Sequence, residues 1–388
     1  MRPTQSGSPE AGFAGFAGFA GFAGFAGFAG FGNYPLAESP IAAEALMTNR
    51  DGIVGAPLAF DPHVVPGVPN DPQNLKRLSP SVRGSLFMFE LATRVGFTAT
   101  DEPNPTASLW QLNVCEGSPP AITAKPLFEA TAPTTDQLKQ QLSYLMSYGD
   151  LRQDRAAEIL TQLASPTPFL ASVAYMDPAR TPFTWELLQV AQRFANFSVM
   201  RVKYALAVKR PIEFSPQVQP MIPTPDHATL PSGHATEAFM LARVLWKVLR
   251  ASGTPQYQQD GVWGEMVMRL ASRVAINRTV AGVHFPIDSA AGASLGLTLA
   301  EFLHQHCDDT YGLQTSATFV GPNYDAEADF DWHLLYDARD DRQTRIAGPV
   351  SDPWATTERI EVPPSEDQSP PLAWLWEKAV SEWRDLKR

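Results

Sequence analysis

Two cysteines, Cys115 and Cys307, are all that this chain has. Two are too few for a disulfide framework, and neither falls in the motifs described below. Thiol chemistry is therefore not expected, and two free buried thiols are. Charge is scarce as well: 18% of the 388 residues are Asp, Glu, Lys or Arg, against 44% that are apolar. Such a chain can bury a substantial core, as one large domain or two ordinary ones. The formal net charge is -11, which argues against a nucleic-acid partner, because phosphate neutralisation needs a basic stripe. Long apolar runs are missing. The nearest, Ser289 to Leu303, is diluted by Gly, Ala and Ser and carries Glu301, so no transmembrane segment is expected. The opening MRPTQSGSPE lacks the charged and apolar regions of a signal peptide. The expectation is a soluble or cytoplasmic protein.

Strand alternation is also scarce, and helical spacing dominates from Asp136 onward. The fold class expected is mostly α, a helical bundle with irregular N- and C-terminal extensions. Ala11 to Phe31 is seven copies of Ala-Gly-Phe. Without proline it cannot hold collagen geometry, and a period of three drifts round a helix, so residues 1–32 read as a disordered tail. A sticky or membrane-touching arm is the alternative. Residues 33–135, rich in Pro, Asn and Asp, read as an irregular wrapping segment with one helix near Val82 to Arg94. Residues 136–310 form the helical domain, in runs Asp136–Ala164 (broken at Gly149-Asp150), Thr184–Val208, His234–Ala251, Val262–Asn277 and Pro286–His304. Residues 311–388 are an acidic extension ending in an amphipathic helix. Its face of Leu372, Leu375, Trp376, Ala379, Val380 and Trp383 docks on the core or contacts a second copy in a homodimer.

Three short strings carry chemistry. In Lys203-x6-Arg210-Pro211, seven residues make about two helical turns, so an ammonium and a guanidinium share one face of a helix that Pro211 ends. A solvated basic face, with Arg201 and Lys209, is the plainer reading of that string alone. In Pro231-Ser232-Gly233-His234, Ser232 caps a helix starting at His234 and leaves the Gly233 amide bare, a setting that favours anions. His234 is then placed for proton transfer, although an ordinary capped helix with a surface histidine has the same sequence. In Arg278-x5-His284-x3-Asp288, the i,i+4 step lets the carboxylate hold one ring nitrogen and aim the other. Coinciding in this order, the strings point to one oxyanion site. His304-x-His306-Cys307, followed by Asp308 and Asp309, reads as a frayed helix end at a helix C-terminus, with a small divalent-metal site as the alternative.

At these strings the chain resembles the superfamily shared by vanadium-dependent haloperoxidases and type 2 phosphatidic acid phosphatases, over roughly Asp136 to Leu303. The resemblance implies a bundle in which Lys203, Arg210, Ser232, the Gly233 amide and Arg278 hold the oxygens of phosphate or vanadate. It implies that His284 is either the nucleophile of a phosphatase or the protein ligand to vanadium in a haloperoxidase. His234 would be the acid/base and Asp288 the group that orients His284. Vanadate is the implied cofactor in the haloperoxidase case, with hydrogen peroxide and halide as substrates; a phosphatase would need none and act on phosphate esters. His227 stands where bromide-oxidising members resemble one another in carrying histidine, and it tips the expectation slightly toward halide oxidation. The pair Ser272-Arg273 looks like the superfamily's Ser-Arg pair but lies too far from His284. The spacing selects Arg278, which Asn277 precedes where the pattern usually has Ser.

Overall fold

The computed structural model describes residues 40–55, 67–115, 117, 119–258, 261–308, 312–361 and 368–385. The expectation for residues 1–32 falls outside them. Helices α1 (Pro40–Ile53) and α2 (Pro80–Ala92) precede strands β1 (Val95–Thr100), β2 (Thr106–Cys115) and β3 (Ala121–Thr131). The helical segment comprises α3 (Thr135–Gly149), α4 (Arg152–Thr161), α5 (Thr167–Ala174), α6 (Pro182–Leu206), the one-turn α7 (Pro211–Phe214), α8 (Gly233–Ala251), α9 (Val262–Val280) and α10 (Pro286–Cys307). There follow β4 (Leu313–Val320), β5 (Tyr336–Asp337), β6 (Arg342–Gln343), β7 (Ile346–Ala347), β8 (Ala355–Glu361) and α11 (Pro370–Asp385).

The flanking extensions are not irregular, which corrects the expectation from sequence. Strands from both sides of the helical segment form one six-stranded sheet, in the order β1-β2-β3-β4-β8-β7. β3 and β4 run parallel, with Phe128 opposite Ala317 and Thr131 opposite Val320, and the other neighbours are antiparallel. Two features hid these strands. Pro126 lies inside β3, and the register slips opposite it at Leu109/Trp110, where a residue without an amide donor can be tolerated. In β2, Ala107, Ser108 and Leu109 are all buried, so polar and apolar residues do not alternate there.

α10 is the axis of the bundle and is buried along its whole length. That explains its small residues. A Cβ on Gly292 would come within 2.6 Å of the Ser232 carbonyl oxygen, and one on Gly296 would strike the Thr236 carbonyl. These glycines let the start of α8 lie directly on α10, which brings the second string against the third. Glu301, the charge inside this apolar helix, pairs with Arg243 and with Lys247 at 3.2 Å. Paired burial of that kind avoids the cost of an isolated charge.

The apolar face of α11 is docked on the core: Leu372, Leu375, Trp376, Ala379, Val380 and Trp383 are all buried, largely against α6. The face is therefore not free for a second copy. Glu382 also caps α6, accepting from the Phe183 and Thr184 amides at 2.7 and 2.8 Å and from Thr184 Oγ1 at 2.7 Å. A carboxylate there satisfies free amides and the positive end of the helix dipole. The end of α10 is not frayed: His304 and His306 are buried, against Trp376 at 4.7 Å and Phe302 at 4.5 Å. Among the described residues no group of three or more His, Cys, Asp or Glu could hold a metal ion; Asp309 lies outside them. Cys307 is a free buried thiol, and the Cys115 side chain is not among those described. No helix of the described residues is long and apolar enough to cross a membrane.

Candidate functional site

Lys203 and Arg210 meet, but not on one helical face. α6 stops at Leu206, Ala207 takes the left-handed conformation (φ 50), and Arg210 is extended just before α7. The helix ends early, and the chain doubles back to bring Arg210 beside the lysine. Both side chains are buried. Lys203 Nζ donates to the Ala228 and Thr229 carbonyls, each at 2.8 Å. Arg210 donates through Nε to the His227 carbonyl at 2.9 Å and through Nη1 to the Val283 carbonyl at 2.8 Å. Its Nη1 also lies 3.1 Å from His284 Nε2, and its Nη2 lies 3.0 Å from His227 Nδ1.

The second string folds as its residues predict. Ser232 is the N-cap of α8, and its Oγ accepts from the Ala235 amide at 3.4 Å. A Cβ on Gly233 would sit 3.8 Å from Lys203 Cε, so the start of α8 adjoins the lysine stem. The Ser232 amide donates to the Asp288 carbonyl at 2.8 Å. His234 is half-buried in the first turn. Burial, then Arg278 and Lys203, holds its imidazole well below the usual histidine range.

Arg278 lies within the last turn of α9, which runs three residues further than the apolar spacing predicts. It is fully buried; Nη2 donates to the Ile159 carbonyl and to Gln162 Oε1, both at 3.2 Å. Among the described residues its Nε and Nη1 have no hydrogen-bond partner. His284 Nδ1 lies 3.0 Å from Asp288 Oδ2 and 3.1 Å from Thr229 Oγ1. Thr229 Oγ1 donates to the same carboxylate oxygen, as does the Phe285 amide at 2.9 Å. With the threonine proton committed to Asp288, the ring donates from Nδ1 and leaves Nε2 as an acceptor. Burial, then Arg210 and Lys203, keeps that ring neutral.

Lys203, Arg210 and Arg278 are all buried, so the site gathers positive charge away from the surface. Burial lowers Lys203, with Arg210 adding to the effect, and pulls Arg210 and Arg278 each down to about 10. Burial lifts Asp288 to about 6. Two guanidinium nitrogens left without a hydrogen-bond partner among these buried cations suit a multi-oxygen anion. A cleft of about 830 Å³ adjoins the site, lined by Met200, Tyr204, Ile212 and Pro225 as well as Lys203, Arg210 and His227.

A second buried acid stands one turn along α8. Glu237 accepts from Gln192 Nε2 at 2.8 Å and Asn196 Nδ2 at 3.3 Å, and burial pushes it up to about 7 from 4.5. A raised carboxyl favours the folded state below its unfolded value, and that contribution is lost as pH rises through about 7. The loss is on the order of 3 kcal/mol. For Glu237→Gln, the Tm difference from the parent should therefore grow in the variant's favour from about pH 5 to about pH 8. A flat difference by scanning calorimetry would contradict this.

The structure links Arg210 with His227 and His284, and His284 with Asp288; it sets Gly233 beside Lys203 and places His234 within reach of the charges of Arg278 and Lys203. The strings gave no hint of Thr229, which steers Asp288, or of Glu158 and Gln162 on and after α4. Position beside Pro231 was the only available pointer to Thr229, and nothing marked the α4 pair. No curated protein matches the chain. Residues 187–309, which carry the whole set of strings, match the family model described as PAP2 superfamily, in line with the resemblance read from those strings.

Proposed function

We propose that the cavity holds vanadate and serves the oxidation of halide by hydrogen peroxide. The observation that carries the oxyanion part is the pair of unpartnered, fully buried nitrogens of Arg278. Lys203, Arg210, Ser232, the Gly233 amide and Arg278 would hold the oxygens, and His284 Nε2 would be the protein ligand. Asp288 and Thr229 orient that ring, and His234, beside Arg278 and Lys203, would take up and return a proton. Bound vanadate supplies a Lewis acid that activates peroxide without a change in its own oxidation state.

His227 inclines this reading toward halide oxidation: Arg210 holds it at the site edge, and burial with Lys203 and Arg210 pushes it down to about 4. Histidine at that place also occurs in phosphatase-like relatives, so the tilt is slight. The second reading, hydrolysis of phosphate monoesters, draws on the same neutral, Asp288-steered Nε2. It would attack phosphorus as the P–O bond breaks, and His234, charged once the bound anion offsets the neighbouring cations, would give its proton to the leaving oxygen. Trigonal-bipyramidal vanadate mimics that transition state, which is why one cavity suits both. One apo sample, assayed twice, separates them. Orthovanadate, peroxide and bromide with a phenol acceptor should give brominated product. Hydrolysis of p-nitrophenyl phosphate without vanadate, and no bromination with it, would reverse the assignment.

A further inference from the structure

α4 and the residue that ends it, Gln162, lie outside the segment matched by the superfamily, yet they reach the deepest cation of the site. Gln162 is fully buried. Its Nε2 donates to Glu158 Oε1 at 3.1 Å, and its Oε1 accepts from Asn277 Nδ2 at 2.9 Å and Arg278 Nη2 at 3.2 Å. The amide cannot be turned end for end, because Glu158 offers only acceptors and Arg278 only donors. Glu158 is fixed in turn: Arg273 Nε and Nη2 grip its two oxygens at 2.7 and 2.8 Å, and Asn277 Nδ2 adds a contact of 2.9 Å. A single directed chain thus runs from Arg273 at the surface, through Glu158 and Gln162, to Arg278.

The acceptor at the end of that chain is an amide, and this matters. A carboxylate against Arg278 would cancel the charge that an oxyanion needs; an amide oxygen restrains one nitrogen and leaves the charge whole. The carboxylate stands one link back, matched to Arg273 instead.

We infer that Gln162 is a positioning residue, held by Glu158, that aims the Arg278 guanidinium so that Nε and Nη1 face the oxyanion. The inference rests on the oxyanion reading of the cavity. Its test is calorimetric titration of the full chain with orthovanadate and with inorganic phosphate, each variant checked by thermal unfolding. Gln162→Leu should raise both dissociation constants about tenfold. Glu158→Ala is the sharper probe, because it touches no part of Arg278 and removes a negative charge near it. Electrostatics alone predicts tighter anion binding, whereas loss of positioning predicts binding weaker by about threefold or more. Glu158→Gln keeps an acceptor for the Gln162 amide and should stay within about twofold of the parent. Folded Glu158→Ala protein that binds as tightly as the parent, or tighter, overturns the inference, and decides the matter even where Gln162→Leu does not fold. A parent that binds neither anion brings down the oxyanion reading itself, and that outcome is distinguishable because it is seen before any variant is made.

Discussion

His284→Ala is expected to show no measurable turnover of either halide or phosphate ester while keeping its fold. In both chemistries the reacting centre would need a neutral imidazole nitrogen at the position of Nε2, and His284 is the ring that Asp288 and Thr229 hold by Nδ1. His227 is turned toward Arg210, and His234 stands on the opposite helix beside Arg278. The fold should survive, because Asp288 keeps its contacts with Thr229 and the Phe285 amide when the ring is gone. Product formation by the folded variant at the parent's rate would end the mechanism. Asp288→Asn makes an informative companion. It leaves Nε2 in place but weakens the hold on the Nδ1 proton, so it should reduce turnover without removing it.

The second large effect is on anion affinity. Arg278→Ala should raise the dissociation constant for orthovanadate on the order of 100-fold, about 3 kcal/mol, the usual cost of deleting a buried charge-assisted partner. Arg278 contributes two nitrogens that nothing else occupies, so little is lost from the protein's own bonding apart from its contacts with Ile159 and Gln162. Lys203→Ala should also weaken binding, with a different signature. That ammonium ties down the Ala228 and Thr229 carbonyls, so the variant should lose thermal stability along with affinity. Titration of orthovanadate into Arg278→Ala that returns a constant within about threefold of the parent would contradict the assignment.

The site was more legible than the architecture around it. Ser232 and the His284–Asp288 step could be read directly, because a cap and an i,i+4 pair are local geometry that short-range sequence determines. The convergence of Lys203 and Arg210 was foreseen for the wrong reason. A common helical face was expected, whereas the helix stops at Leu206 and the left-handed Ala207 turns the chain back. That turn has no signature, since alanine seldom takes a positive φ. Gln162 was invisible for another reason: its role depends on which helix end packs beside Arg278, a tertiary fact. Arg273, set aside on spacing as a false match, proves to anchor Glu158. The sheet was missed because Pro126 and the doubly buried stretch of β2 erase the two-residue period by which strands are found.

The parallel pairing of β3 with β4 has a consequence for how the molecule is made. The residues that match, Phe128–Thr131 and Ala317–Val320, are separated by nearly the entire bundle. Their union closes a very long loop, whereas the helices assemble from near neighbours. Loop-closure entropy therefore predicts that this one pairing forms late, joining the local β1-β2-β3 meander to the β4-β8 pair only after the nearer contacts are made.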